Sequence, residues 1–212
     1  MITTALDAPP AGVRTTVRVP LRFGDGYTTE ADVFTFTGLV DGKEHLAFGL
    51  GDYRGTDVPL VRAHSECLTG DVFGSARCDC GPQLREAVER IATTGGYLLY
   101  LRQEGRGIGL YAKLDAYALQ DLGLDTYAAN RALGHADDER DYTAAAQMLA
   151  ALGARPIDLL TNNPDKAAQL RALGVELGGV SRTGVHVSEH NLRYLTAKVA
   201  HTAHTLDLPI AN

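Results

Sequence analysis

The sequence predicts an α/β fold, with a mixed sheet, flanking helices and an amino-terminal part that is rich in strands. Two observations lead to this prediction. Apolar and polar residues alternate with a period of two in several runs before residue 65, as in half-buried strands. After the last cysteine the apolar spacing becomes helical, and helical segments alternate with short apolar runs typical of buried strands. This order of elements indicates helices that cover a sheet.

The strand-rich part follows residues 1–12, which we expect to form a flexible tail. Residues 13–212 are expected to form a single domain, since this length is sufficient for one hydrophobic core. Alternating runs predict strands over 16–21 and 31–36, with turn signals between the runs. A further strand over 58–64 leads the chain to its first cysteine.

The helical period begins after the last cysteine. Leu84, Val88 and Ile91 fall on one helical face, and a glycine pair that starts at Gly95 ends the helix. The apolar run 97–101 predicts a buried strand. The later elements are predicted in this order: helices over about 109–122 and 139–152, a strand over 156–160, a helix with Pro164 at its first position, a short strand near 184–187, and a helix over about 189–204.

The composition indicates a cytoplasmic protein that acts on a small molecule. The net charge of −6 argues against the broad basic surface that nucleic-acid binding requires. No apolar run approaches the length that spans a membrane, and the first residues lack the pattern of a secretion signal. We therefore expect neither a nucleic acid nor a membrane as a partner, and a reducing compartment for the thiols.

The three cysteines of the chain fall within fourteen residues, as Cys67, Cys78 and Cys80. A structural zinc ion takes four protein ligands, whereas a catalytic one takes three and leaves a position for water. Small buried cysteines, or one disulfide with a free thiol, are the alternatives. A Cys78–Cys80 bridge would be strained, and a reducing compartment favours a metal. His64 is the only histidine near enough in sequence to be a fourth ligand or to lie beside the metal.

Three segments concentrate ionisable groups, the first of which is Arg62–Glu66 just ahead of Cys67, and Lys166 is a separate candidate for binding an anion. In Glu104–Gly109, small residues let backbone amides approach an anion closely, although a simple glycine turn capped by arginine is equally compatible. Gly134–Asp141 places an arginine among carboxylates at the predicted start of a helix, where capping would explain one or two of the acids. Lys166 is predicted in the first turn of its helix. It could be a phosphate ligand, and the alternative is a solvated surface lysine.

Several long motifs in one order strongly resemble GTP cyclohydrolase II. The likeness runs from about residue 14 to 200 and is densest over 60–166. The segments that carry it are Arg62–Asp71, Arg77–Gly81, Arg102–Arg106, Ala116–Asp121 and Leu160–Pro164. The resemblance implies a mixed α/β fold, a stand-alone catalytic domain and a homodimer. The chain is too short to carry also the dihydroxybutanone-phosphate synthase domain to which such enzymes are often fused.

The resemblance also implies the reaction, a step of riboflavin biosynthesis. GTP and water would give formate, pyrophosphate and 2,5-diamino-6-ribosylamino-4(3H)-pyrimidinone 5′-phosphate. Cys67, Cys78 and Cys80 would hold one zinc ion per subunit, whose water would attack C8 of the guanine ring. Mg²⁺ would accompany the triphosphate and bridge its oxygens.

Motif matching implies a role for each site residue. Arg140 matches the family's nucleophile toward the α-phosphorus and Asp138 its proton acceptor, while Tyr117 would orient water near the reacting centre. Because arginine stays protonated in proteins, stabilisation of transition-state charge is an alternative role for Arg140. The expected GTP-binding residues are Arg62, Ala63, His64, Ser65, Glu66, Gln83, Glu104, Gly105, Arg106, Thr126, Thr161 and Lys166.

The chain departs from the family pattern at a few positions. His135 and Asp137 stand where an aromatic and a small residue are more usual, and Asp115 replaces a residue that is commonly basic. A variant enzyme that retains the formyl group is one alternative function, although the retained Tyr117 favours the complete reaction. A non-enzymatic zinc or nucleotide-binding module is the other alternative, and it would require four protein ligands on the metal.

Overall fold

The computed structural model describes residues 10–188 and Asn191, which form two compact units. Of these residues, the first unit contains 10–64, 85–102 and 142–183, and the second contains 65–84, 103–141, 184–188 and Asn191. The prediction of a single domain over 13–212 stays a prediction. No helix within the described ranges is long and apolar enough to cross a membrane.

Seven strands form one mixed sheet in the order β1-β2-β3-β5-β4-β6-β7. The strands are β1 Gly12–Arg22, β2 Thr28–Thr37, β3 Leu46–Leu50, β4 Leu60–Ser65, β5 Gly96–Leu101, β6 Ile157–Leu160 and β7 Leu177–Ser181. The pairs β1–β2, β2–β3 and β3–β5 are antiparallel. The pairs β4–β6 and β6–β7 are parallel. The α/β fold class with a strand-rich beginning is confirmed.

Six α-helices and one 3₁₀ turn accompany the sheet in the described part of the chain. The helices are α1 Leu68–Asp71, α2 Cys80–Thr94, α3 Leu110–Asp121, α4 Thr126–Ala132, α5 Thr143–Leu152 and α6 Pro164–Ala172, and the 3₁₀ turn is Glu104–Gly107. The predicted apolar face of α2 is confirmed, since Val88 and Ile91 are buried. Pro164 is the first residue of α6, and Asn163 caps that helix by accepting from the backbone N–H of Asp165.

The core of the first unit lies between the sheet and its helices. Val61, Leu99 and Leu159, on three adjacent strands, are completely buried, and Met148 of α5 and Leu170 of α6 belong to the same cluster. Residues 144–149 of α5 are all buried. Apolar side chains of these strands and of α5 and α6 therefore pack together in one core, which supports β4 and β6.

The structure corrects the predicted carboxyl-terminal strand. No strand exists at 184–187 of the described chain, and the last strand, β7, covers Leu177–Ser181. Its Gly178-Gly179 pair has the composition of a turn, but it lies in a strand paired parallel to β6. A Cβ atom at Gly179 would lie 2.9 Å from Oδ1 of Asp158, so glycine leaves room for the Asp158 side chain.

The helix predicted over 139–152 begins only at Thr143, so the acidic segment before it is a loop rather than a first turn. The capping explanation for those acids is therefore wrong. Helix α4 was not predicted, although Asp125 caps it by accepting from the N–H groups of Tyr127 and Ala128, both at 2.8 Å. The predicted tail ends where β1 begins at Gly12. Residues 1–9 of the tail, and the helix predicted over 189–204 apart from Asn191, lie outside the described residues.

Candidate active site

The three cysteines come together in the second unit, at the amino-terminal ends of the short helix α1 and the longer helix α2. Cys67 immediately precedes α1, and Cys80 is the first residue of α2, two residues beyond Cys78. The three Sγ atoms lie within 4.8 Å of one another, and those of Cys67 and Cys78 are 3.7 Å apart. All three are free thiols, so the alternative of one disulfide with a free thiol is wrong.

The surroundings of the thiols fit a zinc ion. A Cβ atom at Gly70 would lie 2.7 Å from Sγ of Cys78 and 3.1 Å from Sγ of Cys67, so only glycine lets the sulfurs converge there. The backbone N–H of Cys67 donates to the carboxylate of Asp71 at 2.9 Å, which fixes the first ligand. Soft thiolates suit zinc, and within the described residues the group consists of these three ligands. Three protein ligands are the number of a catalytic zinc site.

The cluster places its negative charge on one sulfur. Hydrogen bonds from the other two thiols, and then the nearby Lys113 ammonium, lower the pKa of Cys67 far below its ordinary value. The hydrogen bond to Cys67 raises the pKa of Cys78 to about 11, with burial acting in the same direction. Binding of a metal to all three thiolates therefore releases protons.

Lys113 on α3 is a residue of the cluster that sequence reasoning missed. Its Nζ lies 3.1 Å from Sγ of Cys67 and 2.8 Å from Oε1 of Glu104. Burial by itself lowers the pKa of Lys113, but the hydrogen bond to Glu104, together with the charge of Cys67 and the hydrogen bond to its sulfur, raises that pKa, so the ammonium stays charged. The sequence contained one indication of this role: Lys113 precedes Tyr117 by four residues, so the two side chains lie on the same face of the helix.

The glycine-rich segment forms the 3₁₀ turn that carries Arg106. Gly105 and Arg106 both have left-handed backbone angles, with φ of 62° and 61°. The Arg106 guanidinium lies 4.7 Å from the ring centroid of Tyr127, and its backbone carbonyl accepts from the N–H of Glu139 at 3.0 Å. A Cβ atom at Gly107 would lie 2.9 Å from the Glu139 carbonyl. The turn is therefore packed directly on the acidic loop.

Within that loop the Asp138 carboxylate holds the Arg140 guanidinium by two hydrogen bonds. Oδ1 of Asp138 accepts from Nε of Arg140 at 2.8 Å, and Oδ2 accepts from its Nη2. Burial acts to raise the pKa of Asp138, but the hydrogen bond and the charge of Arg140 prevail and lower it. The side chains are 13% and 24% exposed for arginine and aspartate, so the pair is largely shielded but reachable by a ligand. Such a pair presents an oriented cation to a phosphate.

The two unusual residues of the loop find local partners. Nδ1 of His135 lies 3.3 Å from a carboxylate oxygen of Glu139, and Asp137 accepts from Arg131 at 2.9 Å and 3.2 Å. Asp137 is therefore paired with a cation, and His135 contacts a carboxylate within the loop that carries Asp138. Asp115, the third departure, is an exposed residue of α3.

Tyr117 lies on α3 in the same unit as the thiols. Its ring is covered by the Arg77 guanidinium, whose Cζ is 4.8 Å from the ring centroid, and the Lys113 Nζ is 5.7 Å from that centroid. Arg77, the neighbour of Cys78, also donates to the Asp121 carboxylate at 2.5 Å and 2.8 Å. The predicted catalytic tyrosine is therefore joined to the cysteine segment through an arginine that the prediction had not singled out as a site residue.

The other predicted residues of the second unit are near the same segments. The Ser65 hydroxyl lies 3.4 Å from Oε1 of Gln103, and Gln83 donates to Asp79 at 2.5 Å. Glu66 is half-buried, and Thr126 is the first residue of α4.

In the first unit, predicted residues meet at the carboxyl ends of β4 and β6. These two strands are parallel, so their ends share an edge of the sheet, where ligands commonly bind. Arg62 donates to the carbonyl of Leu160 at 3.2 Å, and Lys166 donates to the carbonyl of Ala63 at 2.5 Å. Lys166 is only 4% exposed, so the alternative of a solvated surface lysine is wrong. His64 stacks on Tyr100, with ring centroids 5.7 Å apart, and Thr161 accepts from the N–H of Asn163 at 3.0 Å.

Comparisons with known proteins agree with the motifs. A family model described as GTP cyclohydrolase II matches residues 14–182. GTP cyclohydrolase-2 of Vibrio parahaemolyticus is 53% identical over 191 residues, which are 89% of this chain and 96% of that protein. GTP cyclohydrolase-2 of Vibrio cholerae is 52% identical over 192 residues, 90% of this chain and 97% of that one. Riboflavin biosynthesis protein RibBA of Bacillus subtilis is 54% identical over 176 residues, which are 82% of this chain and 44% of that protein.

Proposed function

The chain belongs to the GTP cyclohydrolase II family, and on this premise we propose that it uses zinc to hydrolyse GTP to 2,5-diamino-6-ribosylamino-4(3H)-pyrimidinone 5′-phosphate, formate and pyrophosphate. Its relatives make it a GTP cyclohydrolase II enzyme of riboflavin biosynthesis. The observation that carries the finer proposal is the three-thiol cluster, which lies in the same compact unit as the Asp138–Arg140 pair.

Cys67, Cys78 and Cys80 are the residues that would hold the zinc ion, which when bound supplies a Lewis acid that lowers the pKa of water toward 7. Around them, Tyr117 is proposed to orient the attacking water at C8 of guanine. Its half-buried ring lies against the Arg77 guanidinium, which restricts the position of the ring. The polar residues expected around GTP would reject adenine, because a site built for hydrogen bonds leaves groups unpaired with the wrong base.

Arg140 is proposed to act at the α-phosphate as a fixed cation. The lowered pKa of Asp138 makes that carboxylate a weak base, which favours a role in orienting Arg140 over a role in deprotonating it. Mg²⁺ would accompany the triphosphate, where it would supply positive charge to the leaving pyrophosphate. Lys166 and Thr161 are kept as proposed GTP-binding residues on the family pattern.

Two roles of Arg140 can be separated with GTP labelled at the α-phosphate. A nucleophilic arginine would retain the label on the denatured protein, whereas a charge-stabilising arginine would leave the protein unlabelled. We expect no label, and a lowering of kcat by about 10² to 10³ in Arg140→Ala, as for the loss of one transition-state contact. Label that survives denaturation and is absent from Arg140→Ala would overturn the charge-stabilising role.

A product assay tests the proposed function. The zinc-loaded protein is incubated with GTP and Mg²⁺, and formate, pyrophosphate and the pyrimidine nucleotide are quantified. We expect the three products in equal amounts. A formylated nucleotide without formate would instead identify the ring-opening variant, and release of neither formate nor pyrophosphate would contradict both forms of the proposal.

The cysteines give the assay a second arm. Cys78→Ser is expected to abolish formate release and to leave part of the pyrophosphate release, because the thiols serve the ring chemistry and Arg140 the phosphate. Equal loss of both products would mean that the metal also organises the phosphate site. A metal with four protein ligands, together with no loss of function in Arg140→Ala, would be the result for a non-enzymatic module.

We also propose that the enzyme is a homodimer in the cytoplasm, as the resemblance implies. Light scattering on the purified protein is expected to give twice the mass of the chain. A single-chain mass at micromolar concentration would contradict the dimer.

A further inference from the structure

Lys113 is a buried cation whose hydrogen-bonding capacity is completely used inside the protein. It is 8% exposed. An ammonium group has three N–H donors, and Nζ of Lys113 has three acceptors: Sγ of Cys67 at 3.1 Å, the hydroxyl of Thr69 at 3.1 Å and Oε1 of Glu104 at 2.8 Å. Since a buried charge is costly unless it is paired and hydrogen-bonded, this complete set holds the ammonium in one position.

Glu104 is likewise held by hydrogen bonds within the protein. It is also 8% exposed. Its Oε1 accepts from Lys113 and from the N–H of Gly105 at 2.8 Å, and its Oε2 accepts from the N–H of Leu68 at 2.7 Å. Leu68 directly follows Cys67, so the carboxylate holds the backbone of the cysteine segment while the lysine holds the sulfur. Both contacts act on the same expected zinc ligand.

The charges of this arrangement suit a metal site with three thiolates. Three thiolates around one divalent ion leave a net negative charge, and a fixed cation against one sulfur offsets it. Hydrogen-bonded partners behind a ligand orient it, and their removal typically weakens metal affinity by about 10- to 100-fold. Thr69, which also contacts Cys67 at 3.9 Å, completes the group.

We propose that Lys113 and Glu104 are positioning residues for Cys67: the lysine holds its sulfur and the glutamate its backbone, in the geometry that binds zinc. This inference rests on the proposed zinc site. It also gives Glu104 a role other than the GTP binding that the resemblance implies, since its carboxylate accepts three hydrogen bonds within the protein. Neither residue touches the reacting atoms.

Zinc affinity, measured by competition with a chromogenic chelator, tests the lysine. Lys113→Met keeps the length of the side chain and removes the charge, and we expect zinc affinity to fall by about 10- to 100-fold. Lys43→Met is the matched control, because Lys43 is exposed in the loop between β2 and β3, and the zinc affinity of this variant should equal that of the unaltered protein. Unchanged affinity in Lys113→Met overturns the proposal. An unaltered protein that binds no zinc contradicts instead the proposed function on which the inference rests.

The double variant Lys113→Met/Glu104→Gln separates positioning from general stability. Removing the lysine alone leaves a buried carboxylate unpaired, and the glutamine removes that charge. We expect the thermal stability lost in Lys113→Met to return in the double variant while zinc affinity stays low. Recovery of both together would show a purely structural role and overturn the proposal.

Glu104→Gln distinguishes positioning from substrate binding, and it serves if Lys113→Met fails to fold. We expect weaker zinc binding and, at saturating zinc, a KM for GTP within about twofold of the unaltered enzyme. A raised KM with unchanged zinc affinity would make Glu104 a GTP ligand and overturn its assigned role.

Discussion

At the scale of single residues, Gly70 determines how closely the three thiols approach. It is buried beneath them, and the nearest sulfur lies 2.7 Å from the position a Cβ atom would take. The spacing of the cysteines predicted the ligands, but the glycine that makes room for them is one of 23 in the chain. Only packing distinguishes it from the glycines of exposed turns.

Gly70→Ala is therefore expected to reduce zinc binding. The methyl group must displace Sγ of Cys78 or Cys67, because contacts below 3.0 Å are not tolerated. Metal content per chain after dialysis, measured by atomic emission, should fall well below one equivalent. Gly24→Ala is the control, since a Cβ atom there meets nothing within 4 Å. Full zinc content in Gly70→Ala would show that the cysteine segment accommodates the methyl group without loss of zinc binding, and would contradict the prediction.

Asp138 gives a prediction about pH. Burial opposes ionisation, but Arg140 prevails and its pKa lies below the ordinary value of about 3.9. The contribution of the ion pair to stability is therefore fully present above about pH 4 and is lost only as the pH falls through the lowered pKa. We expect the profile of kcat between about pH 5 and pH 8 to show no titration of Asp138.

The Asp138→Asn variant provides the comparison. It should lower kcat by about 10²-fold through loss of the oriented cation, without moving the acid limb of the profile. An acid limb present in the unaltered enzyme and absent from Asp138→Asn would contradict this assignment and favour a proton acceptor.

At the scale of elements, α3 brings several parts of the site together. Lys113 and Tyr117 stand one turn apart on it, and Asp121 lies one turn further on and accepts from Arg77 of the cysteine segment. Residues four apart lie on one helical face, so a single helix presents a cation, an aromatic ring and a carboxylate in a row. The helix was predicted within two residues of its observed bounds, but its apolar pattern did not indicate that this face points to the thiols.

Arg77→Met is expected to lower kcat more than it changes KM. The substitution removes the cation that covers the Tyr117 ring and the ion pair with Asp121, so the tyrosine loses its fixed orientation. The exposed ion pair itself contributes little to stability, about 0–1 kcal/mol. Steady-state kinetics with GTP provide the measurement, and Arg18→Met, on the outer strand β1, provides the control. Equal kcat in both variants would mean that Tyr117 needs no such support.

At the scale of the whole molecule, the sheet brings together segments that are distant in sequence. Strand β5 lies between β3 and β4, and β6 adds to the other side of β4 across nearly one hundred residues. Asp32 on β2 contributes a polar contact to this assembly, where it accepts from the Tyr53 hydroxyl at 2.5 Å and from Arg18 and Arg54 at 3.1 Å. The Tyr53 hydrogen bond is the main cause of the lowered pKa of Asp32.

Asp32→Ala is expected to destabilise the protein by about 1–3 kcal/mol, because the Tyr53 hydroxyl loses its acceptor. Urea unfolding at pH 7 provides the measurement. In the Tyr53→Phe background the same substitution should cost less, since the donor is already absent. Because its pKa is lowered, the contribution of Asp32 is present above about pH 4 and disappears as the pH falls through the lowered value. Additive losses in the double variant would contradict the hydrogen bond as the cause.

Sequence patterns predicted the elements whose signals are local. The bounds of α2, α3 and α6 depend on apolar spacing, glycines and a proline, which act within a few residues. The patterns failed where tertiary pairing overrides them: Gly178-Gly179 became a strand beside Asp158, and the acidic run before Thr143 stayed a loop against the Arg106 turn. A short helix with a clear Asp125 cap was missed because its apolar pattern is only seven residues long.

By itself, the sequence determined which atoms are available for the site: three thiols within fourteen residues, and the ordered motifs of one enzyme family. Only the tertiary structure decided which charges face those thiols. Lys113 reaches Cys67 across 46 residues, and Glu104 reaches Leu68 across 36. A buried ion pair depends on donors and acceptors that remote segments supply, whereas local periodicity reports only which face of an element is apolar.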